Sequence, residues 1–280
     1  MDTISQVRAA GAAVIGARHL RTARNGQDAA AVWVGEGAGA VVVCDGCGSG
    51  GSSEVGARLG AQLVVAALAR RLGAAGAVEA SGDSMIGALG QRPAPSRGSA
   101  STWSPAEPAL WEAVRGEVVA QLGGLARAMH GDFAQNVQEH FLFTVIAAAV
   151  SGDDAAVWAL GDGAYAIDGR QRVLGPFAEN QPPYLAYDLL AMRQEAHFVA
   201  TSAVAGGSIA VATDGVAELG LDTISIEKSL AHPDALRRQL AVLARGNERI
   251  EWEHRRVVRA PAALQDDGAV AILAWRGRPS

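Results

Sequence analysis

Four times in this 280-residue chain a short apolar stretch borders a turn that carries aspartate: "NGQDAA" with Asp28, "VVVCDGCG" with Asp45, "IAVATDGVAE" with Asp214, and "QDDGAVAIL" with Asp266 and Asp267. Runs of Val, Ile and Ala read as strands, and Asp-Gly reads as the turn that ends or begins one. Each repetition therefore places a carboxylate at a strand end, with glycine beside it so that backbone can approach a ligand closely. One such turn is an ordinary solvated acid. A set gathered at one cleft repels itself and calls for a cation, and donors that are all oxygen suit Mg2+ or Mn2+.

The segments between these turns set the fold class. Residues 29–35 and 39–44 read as neighbouring strands joined by a short glycine-bearing hairpin. "SEVGARLGAQLVVAALARRL" has helical apolar spacing behind a Ser and a Glu that suggest a capped start, and a second long helix is expected over 106–130. Between them, residues 77–107 are rich in Ser, Pro and Gly and read as a surface excursion. "FLFTVIAAAV", "AAVWALG", "AYAIDG" and "RQRVLG" then read as an antiparallel meander. Residues 176–207 read as a loop-like insertion, "SIAVATDG" as a buried strand, 226–245 as helical, and "GAVAILAWR" as the closing strand. Strands, two long helices, strands, a helix and a strand make an α+β domain of helix layers packed on sheet.

Hydrophobic residues make up 49% of the chain, ample for a sizeable core. The 24 basic and 29 acidic residues give a net charge of −5 with no long basic run, which disfavours nucleic acid and anionic membrane as partners. The opening residues carry an acid at position 2 and an Arg in the weakly apolar part, unlike a secretory signal, and "FLFTVIAAAV" is too short to span a bilayer. The expectation is a soluble, cytoplasmic protein. Cys44 and Cys47 have the spacing of a redox or metal pair, but zinc would need two further soft ligands, so structural thiols are expected. "GCGSGGSSEVG" lacks the Lys-Ser/Thr ending of a phosphate loop and the spacing of a dinucleotide loop.

Taken in order, "GARHLRTARNGQDAA", "VVVCDGCGSGGSSEVGA", "ALGDGAYAIDG", "IAVATDGVAEL" and "QDDGAVAILAW" resemble the metal-dependent protein phosphatase (type 2C) family in its bacterial form, over nearly the whole chain. The resemblance implies one domain over 1–280, a four-layer α-β-β-α sandwich of two antiparallel sheets flanked by helix pairs. It implies two Mn2+ or Mg2+ ions bridged by Asp45, with the Gly46 carbonyl on one and Asp214 and Asp266 completing the other. Asp28 would act through metal-bound water, Asp162 would hold a further, weaker ion, and Asp45 and Asp28 would be the catalytic pair.

The implied reaction is hydrolysis of phosphoserine or phosphothreonine by a hydroxide held between two cations, attacking phosphorus in line. The implied partners are a phosphorylated protein and a serine/threonine kinase or its target. No "CxxxxxR" loop is present to hold a thiolate nucleophile, in keeping with a route without a phosphoenzyme. The chain departs from the family pattern at Gln27, where many relatives have Glu, and at Cys47, where some have His. Arg21 and Arg24 are the nearby candidates for the phosphate-contacting arginine of some relatives. Of the adjacent acids, the family register puts Asp266 on the metal and Asp267 beside it. The alternative reading is a regulatory binding module on the same fold, with metal sites weakened by Gln27.

Overall fold

The sheets form because their central strands carry apolar side chains on both faces, and each face has a layer to bury them. The computed structural model describes residues 4–73, 103–232 and 234–277. One sheet has the order β2 (Asp28–Gly35), β3 (Ala38–Gly46), β4 (Phe143–Ser151), β5 (Asp154–Leu160) and β8 (His197–Ser202). The other has the order β1 (Ile4–Val14), β12 (Gly268–Gly277), β9 (Gly207–Ala212), β6 (Gly163–Ile167) and β7 (Arg170–Leu174), and both are antiparallel throughout.

Alternation along β3 shows how the layers are held. Val41 and Val43 join Ile146, Ile209, Val211 and Leu273 in the core between the sheets. Val42 and Cys44 face the other way, against Leu68 of α2 (Ser53–Leu72) and Leu110, Trp111 and Val114 of α3 (Pro108–Ala128). On the far side Ala210, Val270 and Ile272 pack with Leu236 and Leu240 of α7 (Ala235–Leu243). Burying a side chain such as Leu68 contributes about 1.5–3 kcal/mol, and a strand buried on both faces has no polar alternation to show. That is why "AVVVC" reads as one continuous apolar run. The result is the expected four-layer α-β-β-α sandwich.

Several elements differ from the sequence reading. β1 is a full strand at the start of the chain, although its small residues show little pattern. The expected meander is divided: β4 and β5 stay with β3, whereas β6 and β7 belong to the opposite sheet. The crossing is made at Gly161-Asp162-Gly163, whose glycines have φ of 117° and 119°. A side chain at Gly161 would collide with Thr144, so the glycines both permit the bend and bring the sheets together. β8 lies inside the stretch read as a loop. A short α4 (Phe133–His140) follows α3, and the helix expected over 226–245 is split into α6 (Ile226–Ala231) and α7. The split falls at His232, extended at φ −130° and ψ 118°, directly before a proline, where an α conformation is disfavoured. β10 (Asn247–Glu251) and β11 (Arg256–Ala260) form a separate two-stranded hairpin that went unread. Most of the expected 77–107 excursion lies outside the described residues. Among those described, no helix is long and apolar enough to cross a membrane.

Candidate active site

The antiparallel register of β2 and β3 sets Asp28 directly opposite Asp45, and Asp45 in turn lies opposite Thr144 of β4. The other sheet supplies the rest. Thr213, at the end of β9, donates from Oγ1 to Asp28 Oδ2 at 2.6 Å and accepts from the Ala269 backbone at 2.9 Å. It thereby fixes Asp28 while joining β9 to β12. Asp214 follows as the first residue of a single helical turn, α5 (Asp214–Ala217), and Asp162 stands on the glycine turn between the sheets. A polar cleft of about 190 Å3 is lined by Asp28, Asp45, Gly46, Asp162, Asp214 and Asp266, together with Cys47, Thr144, Pro182 and Tyr184. All six residues expected from the sequence therefore meet in one place. Two hollows of about 410 and 510 Å3 are larger but more apolar, and neither gathers these acids.

Adjacent positions in the chain take opposite environments at Asp266 and Asp267. The Asp266 side chain is 46% exposed and pairs with Arg18 of α1 (Ala17–Thr22) at 3.2 Å. Asp267 is 3% exposed; its carboxylate accepts from Gly16 N at 2.8 Å and Gln27 N at 2.6 Å, and His19 Nδ1 lies 2.8 Å away. Asp267 thus pins the 16–27 segment to the start of β12. The fit is close, because a side chain at Gly16 would collide with the Asp266 carbonyl.

Gln27 is buried and donates to Ser53 Oγ at 2.7 Å. Ser53 therefore serves as a partner for Gln27, and no side-chain bond caps the start of α2. Arg21 reaches Gln265 at 3.5 Å and neither Arg21 nor Arg24 lines the cleft. Arg18 does not line it either but touches its edge through the 3.2 Å pair with Asp266, and had no distinguishing sequence signal. Pro182 and Tyr184 were missed for the same reason: they come from the stretch read as a loop. Cys44 is buried in the core, and Cys47, a free thiol, lies beside the acids with Sγ 3.1 Å from Ser49 Oγ.

The acids are far from their ordinary state. Burial pushes the Asp28 carboxyl from 3.8 to about 7 against the opposing hydrogen bond from Thr213. Burial likewise raises Asp45 well above the usual carboxylate range, and the charges of Asp28 and Asp214 add to it. Asp214 rises to about 6 through burial and the charge of Asp162, and burial raises Asp162. Burial opposes ionisation of Cys47, but hydrogen bonds from Ser49 and Tyr184 outweigh it and lower the thiol. Carboxylates raised together in this way constitute a site short of positive charge. Among the described residues, no group of three or more His, Cys, Asp or Glu side chains is arranged to hold an ion unaided. The donor set is nevertheless all oxygen, carboxylates with the Gly46 backbone at hand, and suits a hard divalent cation that keeps much of its water.

A sequence profile described as protein phosphatase 2C matches residues 15–255. No curated protein matches the sequence. Among solved structures, PppA, a key regulatory component of T6SS in Pseudomonas aeruginosa, is 18% identical with a TM-score of 0.54, over 97% of this chain and 99% of that one. The catalytic domain of the serine/threonine protein phosphatase PstP, in complex with two manganese ions, is 15% identical with a TM-score of 0.53, over 96% of this chain and 98% of that one. The serine/threonine phosphatase Stp1 from Staphylococcus aureus is 15% identical with a TM-score of 0.55, over 100% and 98% of the two chains. At these identities the likeness is one of fold.

Proposed function

The chain belongs to the protein phosphatase 2C family, and from that premise we propose that it is a metal-dependent serine/threonine protein phosphatase acting on phosphorylated proteins, the substrates or partners of a serine/threonine kinase. The observation that carries this reading is the convergence of Asp28, Asp45, Gly46, Asp162, Asp214 and Asp266 from both sheets on one polar cleft. Asp45 and the Gly46 carbonyl would hold one Mn2+ or Mg2+, Asp45 with Asp214 and Asp266 a second, and Asp162 a weaker third. When bound, such cations supply positive charge to the phosphoryl oxygens and make water a better nucleophile near neutral pH.

The chain's own groups do the positioning. Asp45 lies between Asp28 and Thr144 on two neighbouring strands, so the ladder on both sides fixes its backbone at the cleft. The Thr213 hydroxyl orients Asp28 through a 2.6 Å bond, leaving the other Asp28 oxygen to take a proton or orient water. Asp267 keeps the 16–27 segment closed over the end of β12 and so keeps Arg18 at the rim, where a guanidinium is available to a phosphate as well as to Asp266. Pro182 and Tyr184 complete the lining of the cleft. Burial raises the Tyr184 phenol, so it stays protonated and acts as a hydrogen-bond donor.

A second reading, a regulatory binding module, draws on Arg18 occupying Asp266 and on Gln27 in place of an acid. PppA is described as a regulatory component. Release of phosphate from a phosphothreonine peptide with Mn2+, with Mg2+ and with chelator decides between them. Divalent-dependent turnover supports the enzyme; none under any metal leaves the binding module.

A further inference from the structure

The β10–β11 hairpin stands apart from both five-stranded sheets. Its two strands pair with each other and with no other strand among the described residues, and a lone hairpin of this kind is marginal in water. Ion pairs across it compensate: Arg256 Nε to Glu251 at 2.7 Å, and Arg259 Nε to Glu248 at 2.8 Å. Yet Ile250 and Val257, directly opposite each other in the register, are 53% and 54% exposed, and Trp252 at the turn is 78% exposed. An aromatic residue set out in solvent at the tip of a projecting element is the kind of anchor that dominates protein interfaces.

Charge identifies what it fits. The chain is acidic overall, but the hairpin over 247–260 carries Arg249, Arg255, Arg256 and Arg259 against Glu248, Glu251 and Glu253, an excess of one cation, with Arg256 and Arg259 taken up by Glu251 and Glu248. Arg255 has no ion-pair partner among the described residues. A second copy laid antiparallel along the β11 edge would set arginine near arginine, whereas an extended acidic segment would find free backbone groups beside the unpaired Arg255.

Position links the hairpin to the cleft. Its base is tied to α7 by the Leu264 N to Leu243 O bond at 2.9 Å. Five residues lie between Ala260 and Asp266, a reach of at most about 20 Å even if fully extended. We propose that the exposed β10–β11 hairpin, with Trp252 and Arg255 at its turn beside an open β11 edge, is a docking arm for an acidic extended stretch of the phosphoprotein substrate. This rests on the phosphatase reading above.

The test has a binding arm and a kinetic arm. Anisotropy of a fluorescent peptide alternating Glu and Val should show binding that weakens with salt, and Trp252→Ala and Arg255→Glu should each weaken it roughly ten-fold or more. A peptide alternating Lys and Val should not bind. In kinetics, Trp252→Ala should leave hydrolysis of a small aryl phosphate unchanged and raise KM, not kcat, for a phosphothreonine peptide carrying the Glu-Val extension. If the wild type hydrolyses no phosphoester, the phosphatase reading falls while anisotropy still reads docking. Unaltered peptide affinity in both variants overturns the proposal. So does Trp252-dependent binding to phosphatidylserine vesicles without peptide binding, or a dimer of the chain that Trp252→Ala dissolves.

Discussion

Asp28 and Asp45 face each other across adjacent antiparallel strands, and burial lifts both carboxyls, Asp28 to about 7, with the charge of Asp28 pushing Asp45 further. Both shifts favour the protonated pair when no cation is bound. With one, the proton is displaced, so cation binding and proton release are coupled at this pair.

Asp45→Asn removes the carboxylate that both expected ions share. Mn2+ binding by calorimetry should weaken by about a hundred-fold or more and phosphatase turnover should vanish. The metal-free melting temperature should hold or rise as repulsion with Asp28 is relieved. Binding of Mn2+ equal to the wild type in this variant contradicts the bridging role.

Asp28 gives a pH dependence with a definite sign. Its folded-state pKa of about 7 lies above the ordinary 3.8, so the folded protein binds the proton more tightly than the unfolded chain. The stabilising contribution is complete below about pH 4 and is lost as pH rises to about 7. In chelator, the urea midpoint of the wild type should therefore fall relative to Asp28→Asn across that window, and saturating Mn2+ should reverse the difference. Parallel curves for the two proteins would remove the buried-carboxyl account.

Asp266 and Asp267 should separate binding from stability. Asp267→Ala orphans the buried backbone N–H groups of Gly16 and Gln27, at a cost of about 3 kcal/mol or more by urea titration. Asp266→Ala loses the exposed Arg18 pair and the 3.0 Å bond that its Oδ1 accepts from Asp267 N, and should cost only about 1 kcal/mol, while weakening Mn2+ binding. The reverse pattern would move the ligand to Asp267.

Arg115 is 2% exposed and holds Asp188 with two bonds of 2.7 and 2.6 Å, while also donating to the Gln194 carbonyl at 2.9 Å. It staples to α3 the segment that follows Tyr184. Asp188→Ala leaves a buried guanidinium uncompensated and should cost about 3–5 kcal/mol. The double replacement Arg115→Met with Asp188→Leu should recover much of that. Denaturation of the single variant at the wild-type midpoint would show the pair contributes nothing.

Much of the site was legible in sequence because it is written in local chemistry. An apolar run predicts a strand, an Asp-Gly step predicts its end, and Asp28, Asp45, Asp162, Asp214 and Asp266 each announce themselves within a few residues. The acids and most strands needed no knowledge of the rest of the chain. What the tertiary structure alone decided is everything that depends on pairing between distant residues. Local alternation says that "AYAIDG" is a strand but not which sheet it joins, and the crossing at Asp162 reassigns it. The exposed charges of β10 and β11 show no apolar periodicity, so their hairpin is invisible until the strands pair. Arg18 differs from Arg21 and Arg24 only through its place on α1, and Asp267 differs from Asp266 only because Gly16 and Gln27, some 240–251 residues away in sequence, converge on its carboxylate. Hydrogen bonds and burial between such partners are fixed by packing of the whole fold, and no local propensity encodes them.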